Sequence, residues 1–243
     1  MKKGLILLLT ILISTIIHTQ NINGKVTYVV SIEPVSDKRI DSLSKTALAG
    51  KVKMGNWMRD ILKNTPNVNS YLEFSNGESL YFVEDKMQND GKATFNINRT
   101  YAGGDDRYYK NTNTKEYFFE NDLGELLLTD IKPKKWKITQ ESKKIGNYLC
   151  FKALDIESTN KKMKPVVWFT PEIPVSFGPL KYNGLPGLVI LVEKYRRTIS
   201  ASQIILNPKD EIFIEKPSKG RKETIEEYQK RVDSFMKFIR KKD

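Results

Sequence analysis

The chain has 243 residues, with 41 Lys and Arg against 29 Asp and Glu, a formal charge of +12, one cysteine and one histidine. A single cysteine excludes an internal disulfide, so stability has to come from a hydrophobic core. The basic residues are scattered and no nucleic-acid-binding module accompanies them, which sets nucleic acid aside and leaves a general attraction to anionic surfaces or ligands.

Met1-Lys2-Lys3 is a short basic start, and residues 5–17 are apolar except for Thr10, Ser14 and Thr15. This layout predicts a secretory signal peptide over residues 1–19, cleaved near Thr19, and it is short against the ~20 apolar residues of a membrane span. The remaining 224 residues (243 less 19) read as one β-rich domain over 20–243. Without Lys2 and Lys3, 39 basic residues face 29 acidic ones, a net of +10. The expected location is periplasmic or extracellular. Cys150 lies far from the processed terminus, so no lipid anchor is expected, and no later segment is long enough to span a bilayer.

Residues 24–32 alternate Val26, Tyr28, Val30 and Ile32 with polar or smaller neighbours, which predicts a strand ended by Pro34. Ile40, Leu43, Ala47, Leu48, Trp57, Met58, Ile61 and Leu62 recur at helical spacing over 37–64. Ser36 or Asp37 suits the cap, and Gly50 and Gly55 break the middle. In residues 71–83, Asn76-Gly77 is a strong hairpin signal because both turn residues must take φ > 0. A two-residue turn there pairs Ser75 with Glu78, Phe74 with Ser79 and Leu72 with Tyr81, and puts Leu72, Phe74, Tyr81 and Val83 on one face. Residues 85–99 are polar and predict a long loop leading into a strand. Further strands are expected over 107–111, 115–120, 125–129, 136–139, 145–156 and 162–170, with residues 132–135 as a connector.

Residues 166–193 read VVWFTPEIPVSFGPLKYNGLPGLVILVE. An apolar strand carrying Trp168 and Phe169 enters a loop stiffened by Pro171, Pro174, Pro179 and Pro186 and freed by Gly178, Gly184 and Gly187; a second strand begins at Leu188. Alternating prolines and glycines specify one backbone path. Pro186 and Gly187 fit the second and third positions of a type II turn, which predicts φ > 0 at Gly187. Residues 188–192 are apolar on both faces, as in a sheet centre covered on both sides.

The segment Gly184-Leu185-Pro186-Gly187-Leu188-Val189 resembles the signature of the GLPGLI family of secreted Bacteroidetes proteins. Trp168-Phe169-Thr170, Glu172-Ile173-Pro174 and Gly178-Pro179 precede it in the family's order. Trp136-Lys137-Ile138 and the run from Lys144-Ile145-Gly146-Asn147 to Lys152-Ala153 resemble its second block. The resemblance covers residues 136–193 and implies an exported β-rich fold without naming a reaction. Lys194-Tyr195-Arg196-Arg197 departs from the plainer turn the pattern leads one to expect.

Residues 197–206 predict a partner strand. Ile225, Tyr228, Val232, Phe235 and Ile239, at spacings of three and four, predict an amphipathic C-terminal helix over 222–240. The fold class is therefore mainly β with α+β character: a curved antiparallel meander sheet, a half-barrel in its limit, with an N-terminal helical insertion and a C-terminal helix. No repeat or second core is evident.

The sole histidine, His18, belongs to the predicted signal peptide, so histidine-based nucleophilic catalysis and most transition-metal sites lack their residues in the remainder. No phosphate-cradling loop, dinucleotide fingerprint or calcium loop is present, and Gly103-Gly104-Asp105-Asp106 reads as a polar turn. No catalytic, cofactor or metal residue is assigned. Cys150 reads as a buried thiol, and Glu172 as an acceptor of backbone N–H groups. The reading that remains is a non-enzymatic exported envelope protein. It binds an apolar ligand in a sheet concavity, or an outer-membrane or envelope partner, through the signature loop Trp168, Glu172, Pro174, Gly178, Pro179, Gly184, Leu185, Pro186, Gly187 and Leu188. The alternatives are a carboxylate-based hydrolase using Glu172, Asp155 or Glu157, and a purely structural envelope protein. An apolar cavity favours the ligand; an exposed patch at Phe177, Leu180 and Tyr182 favours the partner.

Overall fold

The computed structural model describes residues 22–48, 59, 61, 63, 65–84, 96–122, 125–158 and 164–242. The expected signal peptide lies outside them, as do Gly50, Gly55, Trp57, Met58 and Leu62 of the helical insertion. Among the described residues, twelve strands form one curved, unclosed sheet, accompanied by three helices. Every neighbouring pair is antiparallel except the last strand with the sixth.

Strand β1 (Gly24–Ile32) follows the predicted alternation, burying Val26, Tyr28 and Val30. Helix α1 (Asp37–Leu48) starts where Ser36 Oγ accepts from the Arg39 N–H, 3.4 Å, and it buries Ile40. Strands β2 (Val68–Ser75) and β3 (Glu78–Val83) form the Asn76-Gly77 hairpin, with φ of 51° and 82° at the turn. Their register, Ser75↔Glu78, Phe74↔Ser79 and Leu72↔Tyr81, is the one the turn dictates, and Leu72, Phe74, Tyr81 and Val83 enter the main core.

The expected loop before the next strand instead ends in helix α2 (Ile97–Ala102). Asn96 caps it by accepting from the N–H of Asn98 (2.8 Å) and Arg99 (3.2 Å), and Gly103 closes it at φ 115°. Asparagine before and glycine after a short segment are the cap signals for this outcome. Strands β4 (Arg107–Asn111), β5 (Glu116–Asp122) and β6 (Leu126–Asp130) complete one meander; β7 (Trp136–Ile145), β8 (Tyr148–Asp155), β9 (Val166–Thr170), β10 (Leu188–Lys194) and β11 (Arg197–Leu206) make another. β1 joins the two by pairing with β2 on one side and β11 on the other. The short β12 (Arg221–Glu223) lies parallel to β6, and helix α3 (Ile225–Lys242) follows. Thr224 and Glu227 form a reciprocal capping box at its start, with the Thr224 N–H 2.7 Å from the Glu227 carboxylate.

The order β12-β6-β5-β4-β3-β2-β1-β11-β10-β9-β8-β7 puts β6 and β7 ten strand spacings apart. In a flat sheet that is on the order of 48 Å. Only residues 131–135 connect them, a tether that reaches roughly 20 Å at full extension. The sheet must therefore curl until its two ends face each other, and a concavity follows from chain length alone.

The main core fills the concave side: Tyr28, Phe74, Tyr81, Val167, Phe177, Leu188, Val189 and Val192 are buried together. A second, smaller cluster was not expected. Leu80, Tyr109, Phe118 and Leu128 are buried with Ile212 and Ile214 of the segment after β11. Leu80 and Tyr81 are successive strand residues and point to opposite faces, so this cluster belongs to the other side of the sheet.

Candidate functional site

The loop between β9 and β10 crosses the concave side and is pinned from several directions. The Gly184 N–H donates to Ser176 O (3.1 Å), Leu188 N–H to Ile173 O (2.9 Å) and Val189 N–H to Phe177 O (3.1 Å). From outside the loop, Trp136 Nε1 donates to Asn183 O (2.8 Å), Tyr117 Oη to Leu180 O (3.1 Å) and Lys110 Nζ to Ser176 O (2.8 Å). Tyr28 Oη reaches the Val189 carbonyl at 2.7 Å. Trp168, Gly178, Pro179, Leu185, Gly187 and Leu188 are buried, whereas Glu172, Pro174, Gly184 and Pro186 are exposed. Glu172 accepts from the Leu149 N–H at 2.7 Å.

The expected positive φ at Gly187 does not occur: within the signature it falls on Gly184, at 86°. Gly187 is required for a different reason. A Cβ there would lie 2.1 Å from the Thr170 carbonyl oxygen, and one on Gly178 would lie 2.1 Å from Tyr182 O and 2.7 Å from Val189 Cβ. Both glycines let two backbone segments touch.

Phe177 and Tyr182 are buried, so no exposed aromatic patch forms on the loop. Leu180 and Tyr182 instead face a cavity of about 310 Å³. Its floor is Val30, Val192 and Ile199 of β1, β10 and β11, and Ile131 of the tether and Ile225 of α3 close it. Tyr101 of α2, Tyr108, Phe119 and Tyr228 form an aromatic wall. Tyr108 stacks on Phe119 at 5.3 Å, and Tyr228 meets Phe119 edge-on at 5.2 Å.

One rim is basic. Lys181, Lys194 and Arg197 line the cavity, and the first two continue into an adjoining cleft of about 220 Å³ with Lys134, Asp155 and Glu157. Arg197 lies 3.3 Å from the Tyr101 ring centroid, and its Nε is buried without a hydrogen-bond partner. Burial, then repulsion from Lys134 and Lys194, lowers the Lys181 pKa; burial, then Arg197 and Lys134, lowers that of Lys194. Asp155 is buried and ion-paired with Lys134. Burial pushes its carboxyl up, but Lys134, with the Glu157 and Ser158 N–H groups, more than reverses this and leaves it below the usual range.

Asp106 accepts from Tyr108 Oη (3.3 Å) beside the aromatic wall, and burial, with Asp105 adding to it, raises its pKa to about 6 against the Tyr108 hydrogen bond. The stability carried by this raised pKa is present below the ordinary carboxylate range and is lost as pH rises through about 6. Asp106→Asn should therefore melt like the parent near pH 4 and higher at pH 8, by roughly 2 kcal/mol. Thermal melts across that window check this; an offset of equal size at both pH values would contradict it.

Cys150 is fully buried, and burial first, then Glu172, raises its pKa to about 11. Glu157 is exposed and pairs with Lys135 at 3.3 Å. Among the described residues, no group of three or more Cys, Asp or Glu is gathered to hold a metal. No described helix is long and apolar enough to cross a membrane. A wider groove of about 720 Å³ runs along β5, β6 and the start of α3, and among its charged residues Lys132 is paired with Glu226 and Lys216 with Glu116.

The signature loop thus supplies three cavity residues, while the rest come from elements with no shared motif. Lys194-Tyr195-Arg196-Arg197 was the available signal. Its two ends, paired across the β10–β11 turn, are the residues that line the cavity.

Among solved structures, the chain is similar to PNGF-II in a P21 crystal form, at 17% identity and a TM-score of 0.49, and in a C2 form, at 16% and 0.51. Each likeness covers 86% of this chain and 32% of the other, so the chain spans about a third of PNGF-II's length. At that identity, the C2 likeness shows a shared fold alone. No curated protein matches the sequence. Residues 155–191, which contain the signature, match the family described as "Protein of unknown function (Porph_ging)".

Proposed function

We propose that this is an exported, non-enzymatic protein of the cell envelope that holds a ligand with an apolar body in the concavity of its sheet. The observation that carries the reading is the cavity of about 310 Å³, walled by Tyr101, Tyr108, Phe119 and Tyr228 and closed by α2, α3 and the signature loop. A mostly apolar concavity with a few convergent polar groups is the usual form of a small-molecule site. The basic start and apolar run of residues 1–17 support export, and the match over 155–191 supports placing the signature with the GLPGLI type. Docking of a partner on the loop has less support, because Phe177, Tyr182 and Leu185 are turned into the core.

The test uses Thr100, an exposed α2 residue at the cavity mouth. Calorimetry with decanol, a neutral single-chain probe, should give one saturable site on the parent. Thr100→Trp should weaken it at least about tenfold by filling the space, without lowering the melting temperature. Absence of saturable uptake, or uptake indifferent to Thr100→Trp, would overturn the reading.

A further inference from the structure

We infer that the ligand is an anionic amphiphile, its apolar chain among Tyr108, Phe119 and Tyr228 and its oxyanion head against Arg197, Lys181 and Lys194. This rests on the cavity reading above and adds the chemistry of the head group. The cations of this rim are poorly matched by acids. Lys134, Lys181, Lys194 and Arg197 converge around the two adjoining cavities, and the one buried carboxylate there, Asp155, is taken by Lys134. Lys181, Lys194 and Arg197 make no ion pair with a carboxylate among the described residues. Each of the two lysines feels its cationic neighbours as repulsion, which Asp155 offsets only in part.

Arg197 is the anchor of the cluster. Its guanidinium is held over the Tyr101 ring while its Nε–H lies buried and unsatisfied. Buried N–H groups without partners are rare, and an oxyanion at this rim supplies the charge that the guanidinium lacks. The same arrangement disfavours a cationic head, which would add to repulsion already present, and gives a neutral head no advantage from the cluster.

Four probes with one tail length separate the possibilities: decanoate, decyl phosphate, decanol and decyltrimethylammonium, each below its micelle concentration. Decanoate or decyl phosphate should bind at least about tenfold more tightly than decanol, and the cation should bind most weakly. The better of the two anions identifies the head group. Arg197→Gln should bring the anion's affinity close to that of decanol measured on the same variant; an anion preference that survives it would overturn the proposal. Lys194→Gln, on a half-exposed side chain, should reduce the preference several-fold and covers the case in which the Arg197 variant folds poorly. The anion's affinity should also fall with added salt. Equal binding of decanol and both anions would overturn the anionic head and leave the cavity reading standing. If none of the four binds, both fall.

Discussion

Gly187→Ala should lower the melting temperature by about 6–12 °C, the shift expected for about 3 kcal/mol in a chain of this size. The added Cβ would sit 2.1 Å from Thr170 O, 2.6 Å from Thr170 C and 2.9 Å from the Pro171 nitrogen. All three are backbone atoms at the end of β9, where Thr170 pairs with Leu188, so relief of the clash has to move the β9–β10 ladder. Gly178→Ala meets Tyr182 O and Val189 and should behave alike. Gly184→Ala is the informative contrast. Gly184 has φ 86°, but the nearest atom to an added Cβ is Trp136 Nε1 at 4.0 Å, so only the left-handed conformation is penalised, about 1–2 kcal/mol. A larger loss at Gly184 than at Gly187 would mean that the signature is a strained turn rather than a backbone crossing.

Lys134→Ala should cost about 3 kcal/mol, because it strands Asp155, whose side chain is 3% exposed. The carboxylate keeps the Glu157 N–H at 3.0 Å, which holds the loss to the lower end of the range for broken buried pairs. The pH dependence should invert as well. In the parent, the pKa of Asp155 is depressed, so its contribution is present above the ordinary carboxylate range and is lost as pH falls through the folded pKa. Without Lys134, burial is opposed only by the Glu157 and Ser158 N–H groups; the pKa rises, and stability is lost as pH increases. The deficit measured by urea unfolding should therefore be large at pH 7–8 and shrink towards pH 4. Asp155→Asn in the Lys134→Ala background should recover part of it. A deficit independent of pH would show that Lys134 acts through packing alone.

Local rules reached most of the strands and the curved meander sheet, but not which residues its concavity gathers. The Asn76-Gly77 turn fixed a register because only one backbone geometry closes a two-residue hairpin there. β1, β10 and β11 were legible because β-branched and aromatic residues alternate or run together in them. Helix α2 was missed because its Asn96 and Gly103 caps bracket a single turn and a half, too short for periodicity to register. β12 was missed because three residues, Arg221–Glu223, carry no apolar pattern; their pairing with β6 is decided by the chain that follows. The cavity was least legible. Tyr101, Phe119, Lys181, Arg197 and Tyr228 are far apart in sequence and meet only because residues 131–135 force the sheet to curl.

The place of β1 in the sheet also determines when the molecule can be finished. Tyr28 pairs with Ser70 on one side and with Ala201 on the other. The first partner is available early in synthesis; the second is among the last strand residues to be made. Until β11 arrives, Val26, Tyr28 and Val30 lie on an open edge, with β2–β6 already able to form a meander behind them. Closing that edge means bringing together segments 165 to 182 residues apart, the kind of pairing that slows folding and leaves intermediates prone to strand-to-strand association. Wherever the chain folds, its sheet is therefore completed only once β11 is available to pair with β1.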